Sequence, residues 1–268
     1  MVTRTAACVT TAVVATAMIC AATVTGPASS ALRRLPAAPA ASAATTATTA
    51  TTANNRCPPP KGDVVTRVPA TVPKNVALTF DDGPSPSWTP QLLDILKTNR
   101  VHATFFMVGA NARAYPRLVR RVAAEGHTVG NHTYSHADMT RLSARRQEAQ
   151  LDSTTRSISA AVRGGYKPCF FRPPFGVYNS TTVRLARARG MTTVKWSRDT
   201  RDWTSPSHPS RSFQRTVVSN ATQLTAHPDI LMHDGSEGNY RQNTVDSVQR
   251  IITFYKSRGY RFTDPVGR

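Results

Sequence analysis

From residue 76 onward, short apolar runs rich in β-preferring residues alternate with stretches whose apolar residues recur at helical spacing. The first run, Val76-Ala77-Leu78-Thr79-Phe80, meets two acids and a breaker, Asp81-Asp82-Gly83-Pro84, and reads as a buried strand that stops abruptly. Further strands are predicted at 103–108, 128–130, 169–171, 192–197, 230–232 and 260–263. Helices are predicted from Thr89 or Pro90, with Leu92, Leu93, Ile95 and Leu96 as its apolar stripe, and at 116–125, with Leu118, Val119 and Val122 turned inward and Gly126 as its stop. The rest fall at 143–162, closed by Gly164-Gly165, and at 181–189, 210–221 and 244–258.

Strand–helix alternation implies a parallel sheet with right-handed crossovers, and about seven strands make an α/β, distorted (β/α) barrel that closes imperfectly. The polar clusters sharpen this picture. Asp81-Asp82, His132 with His136, Arg172, Asp199 with Asp202, and His233 each follow the C-terminal end of a predicted strand. That end of a parallel barrel carries the active site.

Residues 1–56 follow a different pattern. Arg4 precedes an uncharged Ala/Val/Thr-rich run to Val24, and small residues follow at Ala28, Ser29, Ser30 and Ala31. Residues 1–31 are therefore expected to be a secretory signal peptide, with retention as a membrane anchor the alternative. Residues 32–56 are nearly all Ala, Thr, Ser and Pro and are expected to be a disordered spacer, leaving 57–268 as the folded domain.

The net charge of +19, from 34 Lys and Arg against 15 Asp and Glu, points to an anionic environment. The cations are scattered, with no basic block interleaved with aromatics, so nucleic acid is not the expected partner. An anionic cell-wall polymer is, and a merely solvated surface is the competing explanation. Of the four cysteines, Cys8 and Cys20 would leave with the signal peptide, and Cys57 and Cys169 are expected to form a disulfide in an exported domain.

Adjacent carboxylates raise one another's pKa and need a neutraliser. The spacing His132-x-x-x-His136 places both imidazoles within reach of one cation if the segment makes a helical turn. Two histidines and one carboxylate with open positions form a hydrolytic site for zinc or another divalent ion. One acid of the Asp81-Asp82 pair would be the ligand and the other a general base. Arg172, ahead of two prolines, suits a carboxylate held by paired hydrogen bonds. His233, taken without the other motifs, reads first as a satisfied core histidine, with a third ligand or a general acid as the alternatives.

Five motifs in order carry a resemblance: Thr79-Phe80-Asp81-Asp82-Gly83-Pro84, His132-Thr133-Tyr134-Ser135-His136, Arg172-Pro173-Pro174-Phe175-Gly176, Asp199-Thr200-Arg201-Asp202-Trp203 and Leu231-Met232-His233-Asp234. Together they resemble the polysaccharide deacetylases, the NodB-homology group of carbohydrate esterase family 4. The resemblance implies Asp81 as general base, Asp82, His132 and His136 as metal ligands, usually for zinc and sometimes for cobalt, and Arg172 as the residue that orients Asp81. It implies His233 as general acid, supported by Asp202. The backbone N–H of Phe175 would hold the acetyl oxygen, and Trp203 and Leu231 would line the acetyl pocket.

The expected activity is hydrolysis of N-acetyl groups on a GlcNAc-containing polysaccharide, peptidoglycan or chitooligosaccharide, by a secreted monomer. The alternatives are O-deacetylation of an acetylxylan-type substrate and a non-catalytic wall-binding module. A glycoside hydrolase would need two carboxylates facing each other across about 5–10 Å rather than adjacent in sequence.

Overall fold

A computed structural model describes residues 57–59, 64–70, 73–162, 165–235 and 240–268. The expected signal peptide and spacer, Cys8 and Cys20 lie outside the described residues, as does Gly164. The described residues all fall within one unit, Ala50–Arg268.

The chain alternates as the hydrophobic pattern requires. β1 (Asn75–Asp81) leads to α1 (Thr89–Asn99), β2 (Thr104–Met107), α2 (Gly109–Ala114), α3 (Pro116–Ala124), β3 (Thr128–Asn131) and the long α4 (Ala144–Ala161). Then follow β4 (Phe170–Phe171), α5 (Ser180–Ala188), β5 (Thr192–Thr193), β6 (Arg198–Asp199), α6 (Arg211–Thr222), β7 (Asp229–His233), α7 (Gln242–Ser257) and β8 (Arg261–Phe262). Pro90 opens α1, where its missing N–H costs nothing. Arg100 ends that helix in the left-handed region.

Seven strands run parallel in the order β5-β4-β3-β2-β1-β7-β6, and β8 adds to the start of β1 through Asn75↔Arg261 and Val76↔Phe262. All seven residues of β1 are buried. Its side chains alternate between two faces. Val76, Leu78 and Phe80 join the main core with Leu92, Leu93 and Leu96 of α1 and Val248, Ile251 and Ile252 of α7. Each such buried side chain contributes roughly 1.5–3 kcal/mol. Thr79 and Asp81 take the other face, toward the barrel interior, where both meet Arg172.

Of the strand expected at 192–197 only Thr192–Thr193 forms, as β5 on one edge of the sheet, and β6 follows beyond it at Arg198–Asp199 on the opposite edge. β5 pairs with β4, and β6 pairs with β7. Five Cα steps separate Thr193 from Arg198, a reach of at most about 19 Å. The two edges are therefore drawn together, and the sheet curls into a barrel that hydrogen bonds do not close. The pattern did not reveal this, because a short β-preferring run reads the same whether it pairs once or crosses a gap.

The entry segment bridges that edge. Val65 pairs with Val194, donating to the Thr193 carbonyl and accepting from the Lys195 N–H, while the Val68 N–H reaches the His227 carbonyl. A disulfide ties Cys57 to Cys169 beside β4. The helix α2 was not foreseen; six residues of Gly, Ala, Asn and Arg carry no apolar stripe. In α3, Val119 and Val122 are buried as expected, but Leu118 is only half-buried.

The disulfide encloses 112 residues of separation, for which chain-entropy arguments give up to about 4–5 kcal/mol. The Cys57→Ser/Cys169→Ser variant is expected to melt roughly 5–15 °C lower by calorimetry, with an unchanged far-ultraviolet circular dichroism spectrum. An unchanged melting temperature would show that the strap is held without the bridge.

Candidate active site

Strand register puts the polar clusters on one rim. Asp81 at the end of β1 is the partner of His233 at the end of β7. Asn131 of β3, one residue before His132, pairs with Phe171 of β4, one residue before Arg172. Asp199 of β6 pairs with Leu231 of β7. These ends surround a cavity of about 740 Å³ whose lining includes Asp81, Asp82, His132, His136, Leu231 and His233. Phe175, Trp196, Asp199 and Trp203 also face it, and Phe175 and Trp203 are 63 % and 47 % exposed.

Asp82, His132 and His136 each offer one ligand atom, and the three atoms lie within 4.8 Å of one another. His136 Nε2 is 3.2 Å and His132 Nε2 is 3.5 Å from Asp82 Oδ1. His132 Nδ1 lies 2.7 Å from the Arg172 carbonyl, which can only accept, so that nitrogen carries the proton and Nε2 presents a lone pair. Among the described residues, Asp82 Oδ1 is buried without a hydrogen-bond partner. Converging lone pairs around an orphaned carboxylate oxygen fit a divalent cation. Burial, the largest effect on Asp82, works to raise its pKa. The His132 ring and the charges of His233 and His136 outweigh it and hold the carboxyl well below its ordinary range. Burial and the neighbouring His132 depress the His136 pKa, favouring the neutral form that ligates.

The two histidines do not converge through a helical turn. The segment after β3 is a loop with Thr133 and His136 at positive φ (65° and 54°), and those reversals bring the rings together at a centroid distance of 5.0 Å. The Phe175 ring packs on His136 at 4.6 Å, and Phe175 itself sits at φ 59°.

Asp82 is also at positive φ (73°). Its turn is gripped from several sides. Asn111 Nδ2 of α2 donates to the Asp82 carbonyl at 2.8 Å, and the Val108 N–H donates to the Gly83 carbonyl. A Cβ on Gly83 would fall 2.4 Å from the Asp234 carboxylate, and one on Gly235 would fall 2.3 Å from the Asp82 carbonyl. Only glycine permits these two turns to lie against each other.

Asp81 accepts from Arg172 Nη1 at 2.9 Å. Arg172 is wholly buried; Nη1 also donates to Thr79 Oγ1 at 2.7 Å, and Nη2 donates to the Lys195 carbonyl at 2.6 Å and to Asp229 Oδ1 at 3.0 Å. Burial raises the Asp229 carboxyl to about 6 despite this cation.

His233 Nδ1 meets Asp202 Oδ1 at 2.7 Å, and its backbone N–H donates to Asp202 Oδ2 at 2.8 Å. Burial alone would lower the His233 pKa. The Asp202 charge and hydrogen bond, with Asp82 and Asp81, lift it to about 9. Asp199 takes no part in this pair; it accepts from the Arg201 N–H and faces the cavity.

Several residues that shape the site were given no role from the sequence: Thr79, Asn111, Trp196, Asp229, Asp234 and Arg241. The first and fourth carried a signal. Thr79 shares the strand parity of Asp81, and Asp229 shares that of Leu231 and His233, so each had to point into the barrel. Burial raises the Asp234 carboxyl to about 7, although Thr89 Oγ1 donates to its Oδ2 at 2.5 Å.

Residues 69–194 match the model of the polysaccharide deacetylase family. A peptidoglycan-N-acetylglucosamine deacetylase of Bacillus cereus is 38% identical over 205 residues, covering 76% of this chain and 91% of that protein. The chain spans 65% of the length of a second B. cereus protein of the same description, at 36% identity. A chitooligosaccharide deacetylase of Sinorhizobium fredii is 35% identical, covering 71% of this chain and 92% of that protein. Among solved structures, a family 4 carbohydrate esterase from Streptomyces lividans in complex with acetate superposes with a TM-score of 0.63 at 35% identity, covering 70% of this chain and 91% of that one. With its barrel, its ordered motifs and these relatives, the chain belongs to the polysaccharide deacetylase family.

Proposed function

We propose that the protein is a zinc-dependent deacetylase of N-acetylated, GlcNAc-containing glycan, with peptidoglycan or chitooligosaccharide as the substrate class. The observation that carries this reading is the pairing of Asp81 with His233 on adjacent strands, facing one cavity beside the Asp82–His132–His136 trio. A base and an acid side by side, with a cation site on the same cavity, are what amide hydrolysis by water requires. The named activities of the relatives agree with it.

A divalent ion held by Asp82, His132 and His136 would supply Lewis acidity toward a water and an acyl oxygen. Asp81, aimed by Arg172, accepts a proton from the water as its oxygen bonds to the acetyl carbon. His233 keeps Nδ1 on Asp202 and donates from Nε2 to the nitrogen as the C–N bond breaks. Acetate and a free amine result. An amide nitrogen leaves only when protonated, whereas an ester oxygen departs more readily. The strongly held acid therefore favours N-acetyl over O-acetyl substrates. Phe175 and Trp203 offer exposed apolar rings to a sugar at the rim, and Leu231 closes the pocket wall. Export to the cell surface, with the basic surface facing anionic wall polymer, is the setting this reading supposes. The composition of residues 1–31 and the +19 charge support that setting.

Asp81→Asn is expected to cut acetate release from an N-acetylglucosamine oligomer by about 10²- to 10⁴-fold while leaving the melting temperature close to that of the parent. A fully active variant would refute the assigned base. Chelation is expected to abolish acetate release, with zinc or cobalt restoring it. Elemental analysis of His136→Ala should find most of the bound metal gone. Because His233 works while protonated, activity is lost as pH rises through its raised pKa, about 9 before any cation neutralises Asp82. Asp202→Asn removes the main charge that raises it, so the alkaline limb of kcat should move to lower pH. A limb that stays in place would remove His233 from the acid role.

A further inference from the structure

We propose that Arg241 and Thr244, at the start of α7, are positioning residues that lock Asp202 and through it hold His233 toward the cavity. The proposal deepens the acid role given to His233 above. Asp202 is completely buried, in the short 3₁₀ turn Asp202–Thr204. Its Oδ1 serves His233 Nδ1. Its Oδ2 accepts from the His233 N–H and, at 2.8 Å, from Thr244 Oγ1. Its backbone carbonyl accepts from Arg241 Nη1 at 2.9 Å. The two residues thus fix the carboxylate at one end and the main chain at the other.

Arg241 is 1 % exposed and, with Arg172, among the largest fully buried side chains. A guanidinium is taken out of water only where its fork is met by acceptors. Here Nε donates to the Gly235 carbonyl at 3.0 Å while Nη1 holds Asp202. Gly235 in turn donates its N–H to the Asp81 carbonyl. One side chain therefore joins the turn carrying Asp202 to the turn following His233, which itself rests on the turn carrying Asp81. The same helix start grips the chain beyond Asp202: Asn243 Nδ2 donates to Ser205 Oγ and to the His208 carbonyl, and Asn243 Oδ1 accepts from the Ser210 N–H. Polar residues buried in a first helical turn, which ordinarily faces solvent, are explained by this grip on the acid-bearing segment.

The test compares Thr244→Val, which keeps the shape and removes the hydroxyl, with Thr244→Ser, which keeps the hydroxyl, and adds Arg241→Gln. Thr244→Val and Arg241→Gln are expected to lower kcat on a chitooligosaccharide by about 10- to 100-fold, the effect of one lost hydrogen bond to a charged group. KM should stay within about twofold and bound zinc should be unchanged. Thr244→Ser should behave as the parent. The downfield proton resonance of His233 Nδ1–H, which needs no substrate, should persist in the parent and in Thr244→Ser and weaken in Thr244→Val. An unchanged kcat, a raised KM with kcat intact, or a loss of zinc would each overturn the proposal. If Arg241→Gln does not fold, the near-isosteric Thr244 pair decides. If the parent releases no acetate, the deacetylase reading fails, and the resonance alone decides whether Thr244 holds the pair.

Discussion

One buried guanidinium organises the centre of the barrel. Arg172 sits between two carboxylates, Asp81 and Asp229, with its carbonyl turned to His132 Nδ1. A charged group in this interior is tolerable only while its partners stay in place; removing one partner from such a pair costs about 3–5 kcal/mol. The base and the tautomer of a metal ligand therefore depend on a single residue. Two acids share one cation, and the excess negative charge appears at Asp229, whose proton burial retains up to about pH 6.

The adjacent acids of the first strand are separated by backbone geometry. The extended strand aims Asp81 into the barrel at Arg172. The positive φ of Asp82 turns the next carboxylate toward His132 and His136. Like charges that would repel as neighbours in sequence are given different counter-charges. On the far side, Asp202 and His233 repeat the principle, an acid and a base that stabilise each other's charged forms where water is excluded. The site is thus a row of compensated charges, and the compensation separates a proton acceptor from a proton donor on neighbouring strands.

Much of this was legible in the chain. The continuous apolar run at 76–80 marked a central strand because parallel strands are buried on both faces. The motif spacing placed Asp81, Asp82, His132, His136, Arg172, Asp202 and His233 after strand ends; Asp81, Asp82, His132, His136 and His233 line one cavity, and Arg172 and Asp202 hydrogen-bond to Asp81 and His233. Other features left no comparable trace. The run at 192–197 mixes Thr, Val, Lys, Trp and Ser, and nothing in it says that β5, at its start, and β6, just after its end, belong to opposite sheet edges. The helix α2 lacks an apolar stripe, yet its Asn111 holds the Asp82 carbonyl. A helical turn was the local rule for His-x-x-x-His, but two residues at positive φ bring the rings together instead.

By itself the sequence determined the order and type of most elements and the strand-end positions of the polar residues, because hydrophobic period and residue type are local properties. Tertiary structure alone decided the further partners: that Asp229 shares Arg172 with Asp81, and that the first residues of α7 reach back some forty positions to Asp202. Those pairings follow from strand register and from curling the sheet until β5 and β6 approach. A buried charge must find whichever counter-charge that curvature places within hydrogen-bonding distance, and distance along the chain does not measure it.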